Sequence, residues 1–273
     1  EMWMGANRIN KVNLMNAKQL YNQQKHQFHL KGQNHGRPPA DLPTKFTDFE
    51  RQIVYGSMLG DGGTYYNKPN TDSNERYQEG HSIIQRDYID WKIDNCFSRW
   101  MSKTSELQYH KAPSNVAGAN PSVTFYTRHC AIFTIVGRKW HEKNPDSSWM
   151  RDSRGYRIKK LPEDLINIMS SEKNRGLGLA VWYMDDGSYH LVTKGKSFYL
   201  RLYSMSFTEK ENYILVDELL WKKFGVEGRV YAGANNKFFI QMPCHYSQVF
   251  LEIVRPWIKQ VPSMIHKLGV RIG

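Results

Sequence analysis

Cysteine is scarce in this chain: Cys96, Cys130 and Cys244 lie far apart among 273 residues, with no paired spacing. That excludes a disulfide framework and a cysteine-based zinc site, and reads as reduced thiols inside a cell. Long apolar runs are missing as well. None approaches the roughly 18 residues of a spanning helix, so no membrane partner is expected. The opening residues lack the pattern of a secretory leader. Together these absences lead us to expect an intracellular protein, in an organelle matrix or in a bacterial or phage-infected cytoplasm. Acid is short relative to base, with 26 Asp and Glu against 38 Lys and Arg and a net charge of +12. That balance favours a polyanionic partner, nucleic acid first, although proteins of membrane surfaces share it. Hydrophobic residues make up 40% and aromatics 13%, enough for one large domain or two small ones with cores of their own.

What is present is a repeat. Residues 54–62 read V-Y-G-S-M-L-G-D-G and residues 179–187 read L-A-V-W-Y-M-D-D-G. Each is an apolar, small-residue helical run ending on Asp-Gly, at Asp61-Gly62 and Asp186-Gly187. The two aspartates lie 125 residues apart, about one small domain, which indicates an internally duplicated chain. A lone Asp-Gly after a helix is usually a turn. Two copies in matching positions favour function.

The elements around the repeat also recur. Thr47-Asp48 offers an N-cap for a helix to about Leu59. Strands are expected near Gly63–Tyr66 and His81–Gln85, a helix over Asp87–Met101, strands near Glu106–His110 and Ser122–Arg128, and a helix at Ala131–Trp140. In the second copy a short helix follows Pro162, and a longer one covers Asn174–Asp185. Strands near Ser188–Val192 and Phe198–Ser204 precede a helix from the capping box at Thr208 to Phe224. Strands at Gly228–Tyr231 and Phe238–Met242 come next, then a helix from His245 that stops before Pro256. The order is αββαββα twice. This predicts an α+β fold of two pseudo-symmetric repeats, residues 46–150 and 162–273, joined by a basic linker over 151–161. Helices cover one face of each antiparallel sheet. The other faces are left open, and basic and polar strand residues suit them to duplex DNA. Residues 1–45 carry six Lys/Arg before residue 41 against the single acid Glu1 and are broken by Gly and Pro. They read as a basic arm making an accessory DNA contact, or as a tail with no fold of its own.

Gly56 and Gly60 in one run, and Gly178 and Ala180 in the other, let two helices approach closely. If the runs pair, Asp61 and Asp186 meet at a seam where helix dipoles add to their repulsion. A divalent cation resolves that conflict, and oxygen-only ligation favours Mg²⁺, with Mn²⁺ able to substitute.

These residues carry a resemblance. Val54–Gly62 and Leu179–Gly187, with Ser206-Phe207-Thr208, Lys223-Phe224 and the tail from Arg255-Pro256-Trp257 to Lys267-Leu268, resemble the LAGLIDADG homing endonucleases, in particular their single-chain, intron-encoded branch. The likeness covers roughly residues 48–270. It implies the two-sheet fold of that family, with Asp61 and Asp186 as metal-binding acids. Asp185 falls where the family has a small residue and Gly60 stands in the first copy, so it is expected to support the helix end rather than bind metal. Departures at Tyr55, Ser57 and Leu59 bear on packing. The resemblance also implies one lysine near each scissile phosphate: Lys267 in the tail, and Lys159 ahead of Pro162 with Lys160 a close rival.

The implied function is a monomeric, Mg²⁺-dependent, site-specific double-strand DNA endonuclease acting on a long asymmetric site and leaving short 3′ overhangs. Asp61, Asp186, Lys159 and Lys267 would be catalytic. Tyr65, Gln85, Arg128, Arg201, Tyr203, Arg229 and Gln241 would contact DNA from the strands. Arg151, Arg154, Arg157 and Lys160 would do so from the linker. The alternative is an intron-encoded maturase on the same scaffold, binding intron RNA with or without cleavage. No Cys or Ser start and no His-Asn end bracket the domain, which argues against an intein origin.

Overall fold

The computed structural model describes residues 42–66, 74–101, 107–112, 120–146, 148–192, 197–234 and 237–269. Most of the basic arm, residues 1–41, therefore lies outside the described residues.

Helix α1 (Asp48–Leu59) starts in a full capping box: Thr47 accepts from the Glu50 amide at 3.2 Å and Glu50 accepts from the Thr47 amide at 2.7 Å. Strands β1 (Gly63–Tyr65) and β2 (Arg76–Ser82) follow. A 3₁₀ turn, Ile83–Gln85, leads into α2 (Arg86–Lys92), which runs on as a π-helical segment over Ile93–Phe97 and a 3₁₀ turn over Ser98–Trp100. Strands β3 (Gln108–His110) and β4 (Ser122–Tyr126) and helix α3 (Ala131–Trp140) complete the first copy. The second copy holds α4 (Leu165–Met169), α5 (Leu177–Asp186), β5 (Gly187–Leu191) and β6 (Phe198–Tyr203). It continues with α6 (Glu209–Ile214), again extended by a π-helical segment over Leu215–Trp221 and a last turn over Lys222–Phe224. Strands β7 (Arg229–Ala232) and β8 (Phe238–Met242) and helix α7 (Cys244–Ile258) close the series, followed by a 3₁₀ stretch over Pro262–Leu268.

Both sheets are four-stranded and antiparallel, with the same permuted order: β1-β2-β4-β3 and β5-β6-β8-β7. The duplication expected from the sequence is thus a duplication of topology, down to a π-helical segment in the same helix of each copy. The fold is the expected α+β pair of sheets. No helix among the described residues is long and apolar enough to cross a membrane.

The two signature helices, α1 and α5, form the centre. Leu177 through Met184 are all buried, so α5 has no solvent face. Glycine sets its distance from α1. A Cβ on Gly56 would stand 2.5 Å from the Gly178 carbonyl oxygen and 2.8 Å from the Val181 Cβ. The Gly178 amide in turn donates to the buried Gln52 side chain at 3.0 Å, a polar tie between the halves.

Three sequence expectations need correction. The strand placed at His81–Gln85 is instead Arg76–Ser82. Its inward residues are Tyr77, Glu79 and His81, so alternation was present but two inward positions are polar. Helix α7 does not stop before Pro256; it runs through it to Ile258. Glu252 and Pro256 both lie on its exposed side, where water can satisfy the freed carbonyl, while Val254 and Ile258 draw the last turn into the core. The basic segment 151–161 is not an open, phosphate-gripping strand of charge throughout. It folds back in an antiparallel ribbon through bridges Lys143–Trp149, Arg151–Arg157 and His141–Lys159. Within it Arg157 is nearly buried, pairs with the fully buried Glu75 at 3.1 Å, and also donates to the Thr64 carbonyl.

Two stability effects should follow. Gly56→Val is expected to lower the free energy of unfolding by about 2–3 kcal/mol, because the added atoms meet the Gly178 carbonyl and the buried Val181 side chain. A urea titration reads this as a lower midpoint at unchanged slope. Arg157→Ala should cost about 3–5 kcal/mol by stranding a buried Glu75 charge. The same titration on Arg154→Ala, whose partner Asp152 is at the surface, should show no measurable change.

Candidate functional site

The close helix pair decides where the acids go. Helix α1 ends at Gly60, whose amide donates to the carbonyls of Gly56 and Ser57 at 3.2 and 3.0 Å, and Asp61 follows at once. Helix α5 ends on Asp186 itself. Each aspartate therefore stands at the negative end of its helix dipole, beside the other helix.

A lysine answers each end. Lys159 donates to the carbonyls of Met58, Gly60 and Gly62 at 2.8, 3.0 and 2.9 Å. Lys267 donates to the Gly187 carbonyl at 2.6 Å, and its own carbonyl accepts from Tyr183 at 2.8 Å. Gly62 and Gly187 are the residues after the two acids, so Lys159 and Lys267 occupy equivalent places. Lys160 does not compete: its amide donates to the Trp140 carbonyl at 2.9 Å, and it lines a separate surface recess with Arg138, Lys139, Glu163 and Asp164.

Charge is costly at the buried end of this seam. Burial raises the Asp186 pKa to about 7, the charges of Asp61 and Asp185 push the same way, and Lys159 and Lys267 oppose them. Burial also lowers both lysines, against the pull of the acids. The carboxylates are thus incompletely neutralised by the protein's own cations, a state that fits an added divalent ion.

Under the first acid lies a network the sequence reading did not find. The side chains of Glu79, Lys92 and Asp185 are fully buried, and that of His81 is 4% exposed. Lys92 donates to the two Asp185 oxygens at 2.9 and 3.1 Å and also to Glu79. Tyr88 donates to Asp185 at 2.7 Å, and Tyr77 to Glu79 at 2.5 Å. The His81 Nε2 lies 2.6 Å from Glu79, while its Nδ1 faces an Asp61 oxygen at 3.6 Å. Burial alone would raise Glu79, but Lys92 and His81 hold it well below the usual carboxylate range. Burial would lower His81, but the Glu79 hydrogen bond and charge raise it. Asp185 rises to about 7 because burial outweighs Lys92. Signals for this network existed. Glu79 and His81 keep strand period with Tyr77, and Lys92 interrupts the apolar helical spacing of Tyr88, Ile89 and Cys96.

Among the described residues, the His, Cys, Asp and Glu groups near enough to share a metal are Asp61, His81 and Asp185, with ligand atoms all within 4.8 Å of one another. Asp185 thus approaches the first acid across the seam. Its Cβ would lie 2.5 Å from a Cβ on Gly60, so only glycine fits opposite it. Asp186 is not in that group; it is linked to Asp61 through their mutual charge.

The open sheet faces carry the other expected residues unevenly. In the second sheet Arg201, Gln241 and Arg229 stand in register across β6, β8 and β7, and Tyr203 lies across from Phe239 and Tyr231. All point away from the core face of Leu200, Leu202 and Ile240. Arg201 donates to Gln241 at 3.0 Å and lies over the rings of Tyr199 and Phe239. In the first sheet Tyr65 is on the open face beside Arg76, which lies over the Tyr126 ring at 4.2 Å. Gln85 and Arg128 are off the strands, which end at Ser82 and Tyr126. Gln85 sits in a 3₁₀ turn against Met264. In the ribbon Arg151 donates to the Gly155 carbonyl at 2.6 Å and Arg154 pairs with Asp152 at 3.1 Å, both at the surface. With Lys159, Arg157 and Lys237 they line a cleft of about 740 Å³ between the ribbon and the two repeats.

Known proteins resemble this chain. The family model described as the LAGLIDADG DNA endonuclease family matches residues 51–250. Protein RecA of Mycolicibacterium chitae is 26% identical over 247 residues, covering 85% of this chain and 49% of that protein. Cytochrome b mRNA maturase bI2 of Saccharomyces cerevisiae is 26% identical over 230 residues, covering 80% of this chain and 46% of that protein. The chain thus spans about half the length of these curated relatives. The homing endonuclease I-WcaI, solved bound to its DNA recognition sequence, superposes with a TM-score of 0.66 at 21% identity, covering 87% of this chain and 97% of that one, and so shares the fold. With the signature helices, both acids and both sheets inside the matched span, the chain belongs to the LAGLIDADG DNA endonuclease family.

Proposed function

We propose that this chain is a monomeric, site-specific endonuclease that cuts both strands of a long, asymmetric DNA duplex and leaves short 3′ overhangs. The observation that carries the reading is the doubled pair of acid and lysine at the ends of two touching helices. Asp61 goes with Lys159 on the Gly62 carbonyl, and Asp186 with Lys267 on the Gly187 carbonyl. One chain supplies both pairs, so each strand of a duplex can meet its own.

Asp61 and Asp186 would hold divalent cations, Mg²⁺ with Mn²⁺ as a substitute. When bound, the cation supplies positive charge against the phosphodiester and makes water more acidic. The chain's own residues do the rest. The sheets take the major groove, with Tyr65 on the first and Arg201, Tyr203, Arg229 and Gln241 on the second reaching base edges. Arg151 and Arg154 on the ribbon neutralise phosphates. Lys159 and Lys267, pinned by carbonyls, offset the charge that builds on each scissile phosphate. The apolar walls of α1 and α5 shield Asp186, Lys159 and Lys267 from bulk water, which strengthens their charges.

A second reading has its own support in the likeness to a yeast cytochrome b mRNA maturase: the chain would assist splicing of an intron RNA, with or without cutting DNA.

Cleavage of a randomised duplex library in Mg²⁺, with intron-containing RNA as a parallel substrate, tests the two readings. Asp61→Asn and Asp186→Asn should each abolish double-strand cutting, by at least about a hundredfold, while site binding in a gel-shift assay survives. Full cutting by either variant sinks the assignment.

A stability test checks the charge conflict separately. The folded pKa of Asp186 is raised to about 7 from a usual carboxylate value. Its contribution to stability is therefore complete below the unfolded pKa and is lost as pH rises through about 7. At pH 8 in chelator, Asp186→Asn should raise the free energy of unfolding by about 1–3 kcal/mol, read as a higher Tm. At pH 5 the gain should shrink. Equal effects at both pH values would show that the carboxylate is not under strain.

A further inference from the structure

The two acids stand in different company, although the fold around them is repeated. Strand register aligns the copies: Gly63, two residues after Asp61, pairs with Gln78, and Ser188, two residues after Asp186, pairs with Arg201. Glu79 therefore corresponds to Leu202, and His81 to Ser204. Leu202 is a buried core residue, and Ser204 is buried and hydrogen-bonded to Asn212. In the second copy the place of the His81 imidazole is taken by the Ser204 hydroxyl.

We propose that the cation of the first half is bound through nitrogen as well as oxygen, by the Asp61 carboxylate and the His81 Nδ1, with the Asp185 carboxylate, held by Lys92 and Tyr88, adding negative charge beside the site from the partner helix. The inference rests on reading Asp61 as a metal-binding acid, but not on DNA cleavage. Three features support it. His81 is fixed: its Nε2 meets the buried Glu79 at 2.6 Å, and Glu79 is itself held by Tyr77 and Lys92. A carboxylate on one ring nitrogen orients the ring and makes the other nitrogen a better donor to metal. That other nitrogen faces Asp61 across 3.6 Å, too long for a hydrogen bond. Two ligand bonds of about 2.1 Å would set these atoms roughly 3 Å apart, a small closure of the present gap. The carboxylate of Asp61 is partly open, its side chain 42% exposed, so an ion can enter from solvent. Binding exchanges any Nδ1 proton for the cation and releases that proton to solvent.

The consequence is a chain with two unlike centres. Imidazole suits first-row transition ions and adds little for Mg²⁺. The first half should therefore favour Mn²⁺ over Mg²⁺, while the second, with oxygen donors, should discriminate less.

The test uses the full, metal-free chain and Mn²⁺ alone as probe. Electron spin-echo envelope modulation of the Mn²⁺-loaded protein, with and without ¹⁵N-histidine labelling, should show directly bound imidazole nitrogen. His81→Gln, which keeps an amide to hydrogen-bond Glu79, should lose that signal and weaken Mn²⁺ binding at one site by about tenfold or more. Mg²⁺ affinity should change less than threefold. Should His81→Gln fail to fold, Asp61→Asn provides the second arm and should also lose the nitrogen coupling. Absence of coupling in the wild type, or its persistence in either variant, overturns the proposal. Cleavage of DNA in Mg²⁺ is scored independently. A chain that cuts but shows no nitrogen ligand keeps the nuclease reading and loses this one. A chain with the ligand and no cutting does the reverse.

Discussion

The rest of the structure depends on the approach of two helix backbones with almost nothing between them. Gly56 and Gly178 leave room for the α1–α5 contact, and α5 is buried on every side from Leu177 to Met184, with Tyr183 turned to Phe250 of α7. That contact brings two helix C-termini, two aspartates and two lysines to one seam, buried at Asp186 and open at Asp61. Neither acid could be held there by its own repeat, because each half supplies only one wall of the seam.

Burial and charge then oppose each other. The same packing that aligns Asp61 and Asp186 buries Asp186, makes its ionisation expensive and raises its pKa to about 7. Lys159 and Lys267 reduce the conflict but are engaged by backbone carbonyls, so they stabilise the helix ends first. A carboxylate pair short of positive charge is what a divalent cation relieves. Beneath Asp61 the chain has gone further and buried Glu79, Lys92, His81 and Asp185 together. Ionic groups at this depth persist only when each has a partner, and here all four do. The second half meets the same structural need with Leu202 and Ser204.

Much of the fold was legible from residues alone. Thr47 announced its helix as an N-cap and Thr208 through a capping box, and α3 and β8 have the bounds their spacing predicts. The lysine pair at Lys159 and Lys267 followed from the resemblance, and the structure brings both to the acids while turning Lys160 away. What was not legible were elements whose residues work against their type. Strand β2 turns Glu79 and His81 inward, so its polar inner face hid it. Arg157 looked like one more surface cation of the ribbon, yet a buried Glu75 from another element claims it. Pro256 reads as a stop, yet it sits where solvent can take the freed carbonyl.

By itself the sequence determined the duplication, the element order, the basic character and the positions of both signature acids, since these depend on composition and on residues close along the chain. Only the tertiary structure decided which lysine meets the acids, which arginine is buried, and that Asp185 crosses the seam toward His81. Those outcomes depend on which charges share one low-dielectric volume, and that is set by contacts between residues 80 to 100 or more positions apart, such as Lys92 with Asp185 and Lys159 with Met58. Local pattern carries no record of such distances.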